Sequence, residues 1–358
     1  MPPRAGAGTR RRWGGEARGG AGRTAWTRGR VPAALAVLTA GVTAFHSLVP
    51  GAVLGLGSLL ESFLPWLGLA VPALLVAALV RRSALALLAL ALPSAVWLAL
   101  FHDAFFHDAL FHDALVPRGE DAGAARTAIL TVVQHNASDE NRDPAATARA
   151  LAAAGPDIVA LQELTPAALP AYGEALAREY PHHAVAGTVG LWSRHPLTGT
   201  RPLDIRPADL GPDWNRGVRT AVRTPHGDIA VHVVHLPSVR VRATGFDTAW
   251  RDESAALLGE ELRAEELPRV IVLGDFNGAL DDRGLEPVLT GVDSTGREAA
   301  DGFSFSWPTA FPVARIDHVM ARGAAVTRLW VLPATGSDHL PVAARIELPA
   351  AQGIRPGR

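Results

Sequence analysis

One short stretch, residues 270–278, most limits what this chain can fold into. It reads VIVLGDFNG, so three β-branched residues and a leucine precede a glycine and two polar side chains. A short continuous apolar run of this kind is typical of a strand buried on both faces. Asp275 and Asn277 lie at i and i+2, so an extended backbone directs both side chains to the same side. The stretch predicts either an active-site carboxylate and carboxamide at a strand end or an ordinary Asx-rich turn.

Polar side chains also end other apolar segments of the chain. Some stand directly at the end of a predicted strand, and others lie in the sequences RIDH and SDH near the C-terminus. Each alone also fits an exposed strand end, a hydrogen-bonded core histidine or a cap. Their recurrence favours one shared site, because open sheets place ligands at strand ends. The residues concerned are Asn136, Glu163, His235, Asp275, Asn277, Asp317, Asp338 and His339.

Residues 126–348 alternate between short apolar strand patterns and helix patterns. One helix is predicted to begin at Asp143-Pro144, with Asp as the N-cap and Pro in the first turn. Strands outnumber helices, and many are joined by turns too short for a helix, so a purely parallel alternating sheet is disfavoured. The pattern predicts an α/β (α+β) domain in which two mixed β-sheets pack together with helices outside.

The part of the chain before this domain is strongly apolar. Runs at about 31–50, 63–80 and 83–101 are nearly free of charge, and a membrane-spanning helix needs roughly 20 such residues. Buried core helices are the alternative, but helices of soluble proteins carry a polar face that these runs lack. A signal peptide accounts for the first run only. The sequence therefore predicts three transmembrane helices within residues 31–101.

Arginines indicate how the predicted helices are oriented. Residues 1–30, a Gly-rich segment expected to be disordered, contain eight arginines and one glutamate, and Arg81-Arg82 separates the second and third runs. The positive-inside rule places both in the cytoplasm. Three crossings of the cytoplasmic membrane then place residues 126–348 on its extracytoplasmic side.

Residues 102–125 contain most of a tandem FHDA repeat followed by a polar linker. A metal site through His102, His107 and His112 is one interpretation. A five-residue step advances about 500° along a helix, so the histidines share no face, which favours a juxtamembrane spacer. The C-terminal residues 349–358 are expected to be a disordered tail.

The candidate site residues are rich in oxygen ligands, and the chain contains no cysteine. Carboxylates and amides favour a hard cation, which points to Mg²⁺ or Mn²⁺ rather than Zn²⁺. The sequence lacks the P-loop, the dinucleotide fingerprint and the nucleophile elbow. Cleavage of a phosphate ester by an activated water suits carboxylates, amides and histidines around such a cation.

Together these motifs resemble the endonuclease/exonuclease/phosphatase superfamily, the DNase I-like fold, over roughly residues 126–348. The resemblance rests on Asn136 after a strand, LQE at 161–163, VHL at 234–236, GDFN at 274–277, SWP at 306–308, RIDH at 315–318 and SDH at 337–339. It implies a four-layer sandwich of two mixed β-sheets flanked by helices, here preceded by three transmembrane helices. It also implies an active enzyme, because every polar position of the motifs is filled.

The resemblance implies a role for each polar residue. The metal ligands would be Glu163, as the main one, with Asn136 and Asp338 beside it. Asp275 would position or deprotonate the attacking water, and Asn277 would stabilise the phosphoryl transition state. His339, oriented by Asp317, would contact the scissile phosphate and assist proton transfer, as would His235.

Charge bears on the substrate. Residues 126–348 contain 21 arginines and 28 acidic residues, a balance of −7. Non-specific nucleic-acid binding depends on basic side chains, so nucleic acid is a disfavoured partner. Arg194 and Arg216 are candidate contacts for a substrate phosphate, and solvated surface roles account for them equally well.

Tethering beside the bilayer favours a phosphorylated substrate in the membrane. The architecture also resembles a membrane-anchored branch of the superfamily linked with resistance to teicoplanin-type antibiotics. That resemblance implies a lipid-linked phosphate, such as a polyprenyl pyrophosphate, as substrate. An extracytoplasmic nuclease or sugar phosphatase is the first alternative, and a catalytically inactive membrane-tethered binding module is the second.

Overall fold

The described residues of the computed structural model are 29–51, 53–106, 128–243 and 245–349. The predictions for residues 1–28, for most of the FHDA repeat and its linker, and for the tail from residue 350 therefore lie outside the described residues. The chain divides into two compact units, which are Met1–Ala44 with Leu67–Leu98 and Phe45–Trp66 with Ala99–Arg358.

The first unit contains apolar helices. The helices are Arg30–Ala44, Ala70–Val80, Ala84–Ala89 and Ala91–Phe101, of which the last ends just beyond the unit. Small side chains such as Ala36, Ala78 and Ala86 pack together in its centre. Large apolar side chains point outward, with Val80 exposed by 75% and Leu88 by 74%. Extended apolar surface of this kind marks contact with a membrane or another protein.

The number of predicted transmembrane helices, three, is wrong. Among the described residues only Ala84–Phe101 forms a helix long and apolar enough to cross a membrane, and 22% of it is buried. Leu56–Ser62 and Leu64–Val80 are bent by 73° at their junction, so together they form at most one broken span. Arg30–Ala44 is a shorter apolar helix of 15 residues, against the roughly 20 that a span needs. The break between Leu56–Ser62 and Leu64–Val80 falls next to Pro65, which has no backbone N–H to donate to the preceding turn.

Strands dominate the second unit. They are β1 Ala128–Asn136, β2 Ile158–Gln162, β3 His182–Ala186, β4 Val189–Ser193, β5 Leu197–Pro202, β6 Gly217–Thr224, β7 Gly227–His235, β8 Arg240–Arg242, β9 Gly245–Asp247, β10 Val270–Asp275, β11 Asp317–Arg322, β12 Ala325–Val331 and β13 Val342–Leu348. Sheet 1 has the order β12-β13-β1-β2-β4-β3, sheet 2 has the order β11-β10-β7-β6-β5, and β8 pairs with β9. The pairs β1–β2 and β7–β10 are parallel and the other described pairs are antiparallel. Both sheets are therefore mixed, as predicted.

Helices cover the outer face of each sheet, which confirms the predicted layering. They are Pro144–Ala153 and Leu169–Leu176 on sheet 1, and Ala249–Ala264 and Glu286–Leu289 on sheet 2. The central core lies between the sheets, where Val132 and Leu191 meet Val233 and Leu273. Each such fully buried side chain contributes about 1.5–3 kcal/mol of transfer free energy. The helix predicted at Asp143 begins there, because the Asp143 side chain accepts the N–H of Ala146 at 2.9 Å.

Residues 45–66, which the sequence assigns to the membrane helices and their connection, belong instead to the second unit and contact the segment between β10 and β11. Helix Leu56–Ser62 brings Glu61 against Arg283, with Oε1 and Nη2 separated by 2.6 Å. The indole N–H of Trp66 donates to the carbonyl oxygen of Val313 at 2.7 Å. These contacts make the segment between the apolar runs a part of the second unit.

Candidate active site

Strand pairing aligns three of the predicted residues at one edge of sheet 2. β7 ends at His235, β10 ends at Asp275 and β11 begins at Asp317. In the register Asp275 stands opposite His235 on one side and opposite Asp317 on the other. β7 and β10 run parallel while β11 runs antiparallel, so these ends meet at the same edge.

Asn136 connects this edge to sheet 1. β1 and β2 are parallel, and Asn136 pairs with Gln162 immediately before Glu163. The Asn136 side-chain Nδ2 donates to Glu163 Oε1 and to Asp275 Oδ2, both at 3.0 Å. Ser337 Oγ donates to the carbonyl oxygen of Asn136 at 2.7 Å. The ends of strands from two different sheets therefore converge on one cluster.

His235 and Arg216 line the same cluster. His235 Nε2 lies 3.7 Å from Asp275 Oδ2 and 3.8 Å from Glu163 Oε1. Arg216 Nη1 lies 3.3 Å from His235 Nδ1. Burial, with the charges of Arg216 and His339, holds the pKa of His235 well below its usual value. The imidazole of His235 is therefore neutral at physiological pH.

His339 and Asp317 form a hydrogen-bonded pair. His339 Nδ1 lies 2.8 Å from Asp317 Oδ2, and Gln134 Nε2 donates to Asp317 Oδ1 at 2.6 Å. The other ring nitrogen, Nε2, lies 3.8 Å from Asp275 Oδ2. Burial lowers the pKa of His339, but the charges of Asp317 and Asp275 outweigh it and raise that pKa to about 10. The pair is thus an imidazolium and a carboxylate at neutral pH.

Asp275 is the carboxyl that titrates near neutrality. Burial raises the pKa of Asp275 to about 7, with the charge of His339 opposing this shift and that of Asp317 adding to it. Its Oδ1 accepts the backbone N–H of Asn277 at 2.9 Å. A buried carboxyl with a pKa in this range is suited to accept a proton from water.

Backbone strain coincides with the site. Glu163 has a φ of 57° and Asn277 a φ of 49°, both in the left-handed region. Non-glycine residues held in sparsely populated regions cost on the order of 1–3 kcal/mol each and cluster at active sites. The Asn277 side chain is held by its Nδ2, which donates to the carbonyl oxygen of Leu236 at 2.9 Å.

Asp338 lies beside this cluster. Its Oδ2 accepts the indole N–H of Trp307 at 3.2 Å, and its charge is among those that raise the pKa of His339. Within the described part of the chain, no hydrogen bond or ion pair joins Asp338 to Asn136 or Glu163. We call the convergent set the cleft cluster; its members are Asn136, Glu163, His235, Asp275, Asn277, Asp317 and His339.

The structure does not bring Arg194 to the cleft cluster. β4 runs antiparallel to β2, so Ser193 pairs with Ile158 at the start of β2, at the end of sheet 1 opposite Glu163. Arg194 Nη2 pairs with Glu179 Oε2 at 3.2 Å. This antiparallel pairing, which the sequence does not reveal, places Arg194 away from the cleft cluster. The other candidate arginine, Arg216, contacts His235.

Two contributors were missed in the sequence. Gln134 precedes Asn136 by two residues on the same strand, so period-two alternation could have found it. Arg251 is buried and its Nη1 donates to the carbonyl oxygen of Asn277 at 3.3 Å. Its position within a helical pattern resembles a surface arginine, and no local signal distinguishes it.

The donor set fits a hard divalent cation. Glu163 Oε1 and Asp275 Oδ2 each lie 3.0 Å from the same atom, Asn136 Nδ2. Among the described residues no charged base lies within ion-pair distance of Glu163, because its imidazole neighbour, His235, is neutral. Ligand atoms of Asp275, Asp317 and His339 also lie within 4.8 Å of one another. A protonated His339 carries a hydrogen on each ring nitrogen, however, so we assign that trio to proton handling.

Comparison with known proteins is consistent with this geometry. The profile of the Endonuclease/Exonuclease/phosphatase family matches residues 123–339, more than half of the chain. No curated protein matches the chain.

Solved structures share the DNase I-like fold. A Bacteroides thetaiotaomicron endonuclease/exonuclease/phosphatase family protein is 20% identical with a TM-score of 0.50, and the match covers 63% of this chain and 97% of that one. Staphylococcus aureus beta toxin is 15% identical with a TM-score of 0.50, covering 60% and 99%. Humanized D. rerio TDP2 is 19% identical with a TM-score of 0.50, covering 61% and 98%.

Proposed function

The chain belongs to the Endonuclease/Exonuclease/phosphatase family, and we propose that it is a divalent-metal-dependent hydrolase of phosphoester or pyrophosphate bonds. The observation that carries the proposal is the meeting of strand ends from two sheets, through Asn136, on a set of carboxylates and histidines. Burial and mutual charge shift the pKa values of these groups apart, so that one site supplies both a proton donor and a proton acceptor.

Glu163, with Asn136 and Asp338, would hold Mg²⁺ or Mn²⁺. The Glu163 side chain is 28% exposed, so it is open to solvent and substrate, whereas Asp275 is 1% exposed. When bound, a hard cation of this kind offsets the charge of the phosphoryl oxygens.

The protein groups then divide the proton transfers. Asp275, with its pKa near 7, takes a proton from the attacking water. His339, held by Asp317 and protonated at neutral pH, gives a proton to the leaving oxygen from Nε2. Neutral His235 and charged Arg216 hold the phosphoryl oxygens. The second N–H of the Asn277 side-chain amide, beyond the one donated to Leu236, stabilises the charge that develops there.

We further propose a lipid-linked substrate, such as a polyprenyl pyrophosphate, hydrolysed beside the extracytoplasmic face of the membrane. The apolar helix Ala84–Phe101 supports a tether, and the acidic balance of residues 126–348 disfavours a polyanionic polymer. The alternatives are an extracytoplasmic Mg²⁺-dependent nuclease and a catalytically inactive tethered binding module.

The test is phosphate release by the full-length protein in detergent, with and without Mg²⁺. We expect release from a polyprenyl pyrophosphate, loss of at least 100-fold in Glu163→Gln, and no loss in Glu179→Gln, which changes the carboxylate that pairs with Arg194. Cleavage of plasmid DNA without release from the lipid would favour the nuclease. Absence of both activities would favour the binding module, and equal activity of Glu163→Gln and wild type would refute the site.

A further inference from the structure

A small apolar pocket lies in the second unit, next to the segment that follows Asn277. Its volume is about 70 Å³, enough for about five water-sized groups, since one water needs about 10–15 Å³. The apolar side chains that line it are Pro65, Leu100, Phe101, Leu280, Phe303 and Phe305. Phe303 stacks on Phe305 at a centroid distance of 5.2 Å, and Phe101 meets Phe303 edge to face at 5.8 Å.

One cation in this pocket, Arg315, forms no ion pair among the described residues, although the charge of Asp281 acts on it. Arg297 also lines it, but its Nη1 pairs with Asp281 Oδ1 at 2.9 Å. Asp103 lies 3.0 Å from His102 Nε2. Arg315 lines the pocket, is half-buried, and makes no hydrogen bond or ion pair with any residue that the structure describes. A charge taken partly out of water without a partner is costly, so the position suits an anion brought by a ligand.

The pocket adjoins the ends of the apolar segment. Phe101 is the last residue of the candidate membrane helix Ala84–Phe101, and Pro65 precedes the apolar residues that resume at Leu67. In the tethered protein proposed above, these residues lie at the level of the lipid headgroups, where aromatic side chains are enriched. A ligand that is anionic at one end and apolar at the other would match both the arginine and the aromatic wall.

We propose that this pocket binds the headgroup of an anionic membrane lipid as a site separate from the cleft cluster. The lipid phosphate pairs with the Arg315 guanidinium, and the adjoining apolar part of the lipid lies against Phe101 and Phe303. Arg–phosphate pairs are short, charge-assisted and directional. The bound lipid would fix the orientation of the second unit on the bilayer. This proposal rests on the membrane tether, but not on hydrolysis.

The experiment measures binding without turnover. Full-length protein carrying Asp275→Asn is titrated in detergent and EDTA with dihexanoyl phosphatidylglycerol, dihexanoyl phosphatidylcholine or inorganic phosphate, and heat is recorded. We expect one phosphatidylglycerol per chain, at least tenfold weaker binding of phosphatidylcholine and of phosphate, and at least a tenfold loss in Arg315→Gln. Arg315→Lys keeps the charge and should retain most of the affinity, which separates lost charge from lost folding.

Arg216→Gln is the control for binding at the cleft, and it should leave the phosphatidylglycerol affinity unchanged. Loss of binding in Arg216→Gln with retention in Arg315→Gln would place the lipid at the cleft and overturn the proposal. Phosphate binding as tightly as the lipid would also overturn it in favour of a free-anion site. Since no outcome depends on turnover, a failure here is distinguishable from a failure of the proposed hydrolysis.

Discussion

Two buried charged clusters lie close together in the second unit and differ in how their charges are balanced. The first is the cleft cluster. The second, which we call the junction cluster, joins residues 45–66 to the loop after β10; its members are Ser58, Glu61, Arg251, Asp282 and Arg283. Arg251 Nη1 contacts the carbonyl oxygen of Asn277, so the two clusters share a boundary.

In the junction cluster each arginine is paired with at least one carboxylate, and Arg251 also pairs with Asp252 Oδ1 at 2.7 Å. Arg251 Nη1 lies 2.6 Å from Asp282 Oδ2 and Nη2 lies 2.9 Å from Oδ1, and both side chains are at most 1% exposed. Ser58 Oγ donates to the same carboxylate. Glu61 accepts three hydrogen bonds from the Arg283 side chain and one from its backbone N–H. Complete pairing of this kind serves structure, because each partner offsets the desolvation of the other.

In the cleft cluster the carboxylates outnumber the charged bases around them. Three carboxylates, those of Glu163, Asp275 and Asp317, face two charged bases, the His339 imidazolium and the Arg216 guanidinium. Burial raises the pKa of Asp275. Perturbed pKa values from burial and like charges mark functional sites. Burial of charge is common to both clusters, so incomplete pairing is the property that distinguishes the candidate active site from the junction cluster.

The largest expected contrast is between two Asp→Asn variants, Asp275→Asn in the cleft cluster and Asp282→Asn in the junction cluster. Asp275→Asn should reduce kcat by about 10²–10⁴-fold, because it removes the proposed proton acceptor. The same variant should raise the thermal midpoint at pH 8 in EDTA, because a buried carboxylate is no longer ionised.

Asp282→Asn should do the opposite. It leaves the buried Arg251 with one carboxylate instead of two, namely the partly exposed Asp252, whose Oδ1 lies 2.7 Å from Nη2. Removing the buried partner of such a pair costs up to about 3–5 kcal/mol, so the thermal midpoint should fall by several degrees. Thermal unfolding of both variants in the same detergent checks the contrast. A lower midpoint for both, or for neither, would erase the distinction between the clusters.

Glu61→Ala should have an intermediate effect. It removes the carboxylate that holds Arg283, whose side chain is 36% exposed and can turn to solvent, so we expect a loss of about 1 kcal/mol. Limited proteolysis should then cleave residues 45–66 faster than in the wild type, with Glu260→Ala, on an exposed helix face, as the control. Unchanged proteolysis would show that the junction does not hold this segment.

The pH dependence of activity and of stability should report the protonation of Asp275 and His339. Activity should rise as Asp275 loses its proton near pH 7 and fall as His339 loses its proton near pH 10. Both folded pKa values exceed the unfolded ones, so in EDTA stability should fall with rising pH, from Asp275 between about 3.8 and 7 and from His339 between 6.5 and about 10. His339→Asn should lose the alkaline limb of the kcat/KM profile. A pH-independent rate from pH 5 to 9 would contradict these roles.

The smallest effect is expected at Arg194. Its exposed pair with Glu179 is worth about 0–1 kcal/mol, so Arg194→Ala should change neither the thermal midpoint by more than a few degrees nor kcat/KM measurably. Arg216→Ala, the matched change at the cleft, should lower kcat/KM by at least tenfold. Equal losses in both variants would show that the strand-end geometry does not select between the two arginines.

Local sequence signals were sufficient to predict the two sheets and most residues of the candidate site. The apolar run before Asp275, the polar residue after each run and the N-cap at Asp143 all depend on near neighbours in sequence. Placement of Asn136 next to Asp275 follows once the two sheets pack face to face, as predicted. Asp338 and Arg194 lie in turns, and their positions depend on strand pairing that periodicity does not encode.

For the apolar residues 31–101, local sequence signals were not sufficient. Composition identified apolar runs correctly but could not show where helices break, so three predicted spans became one clear span. Glu61, a single charge in an apolar context, gave no sign that it would pair with Arg283, more than 200 residues away in the chain. Ion pairs between residues this far apart leave no periodic pattern in the sequence, so periodicity cannot predict them.

The most direct test of the central claim is a double-mutant cycle between Glu163, which follows β2 of sheet 1, and His339, which pairs with Asp317 of sheet 2. Glu163→Gln, His339→Asn and the double variant are compared by kcat/KM for phosphate release with Mg²⁺. Residues that act as a unit in one site are strongly non-additive, so the double variant should lose little more than the worse single variant. A double variant whose loss equals the product of the two single losses would contradict a shared hydrolytic site.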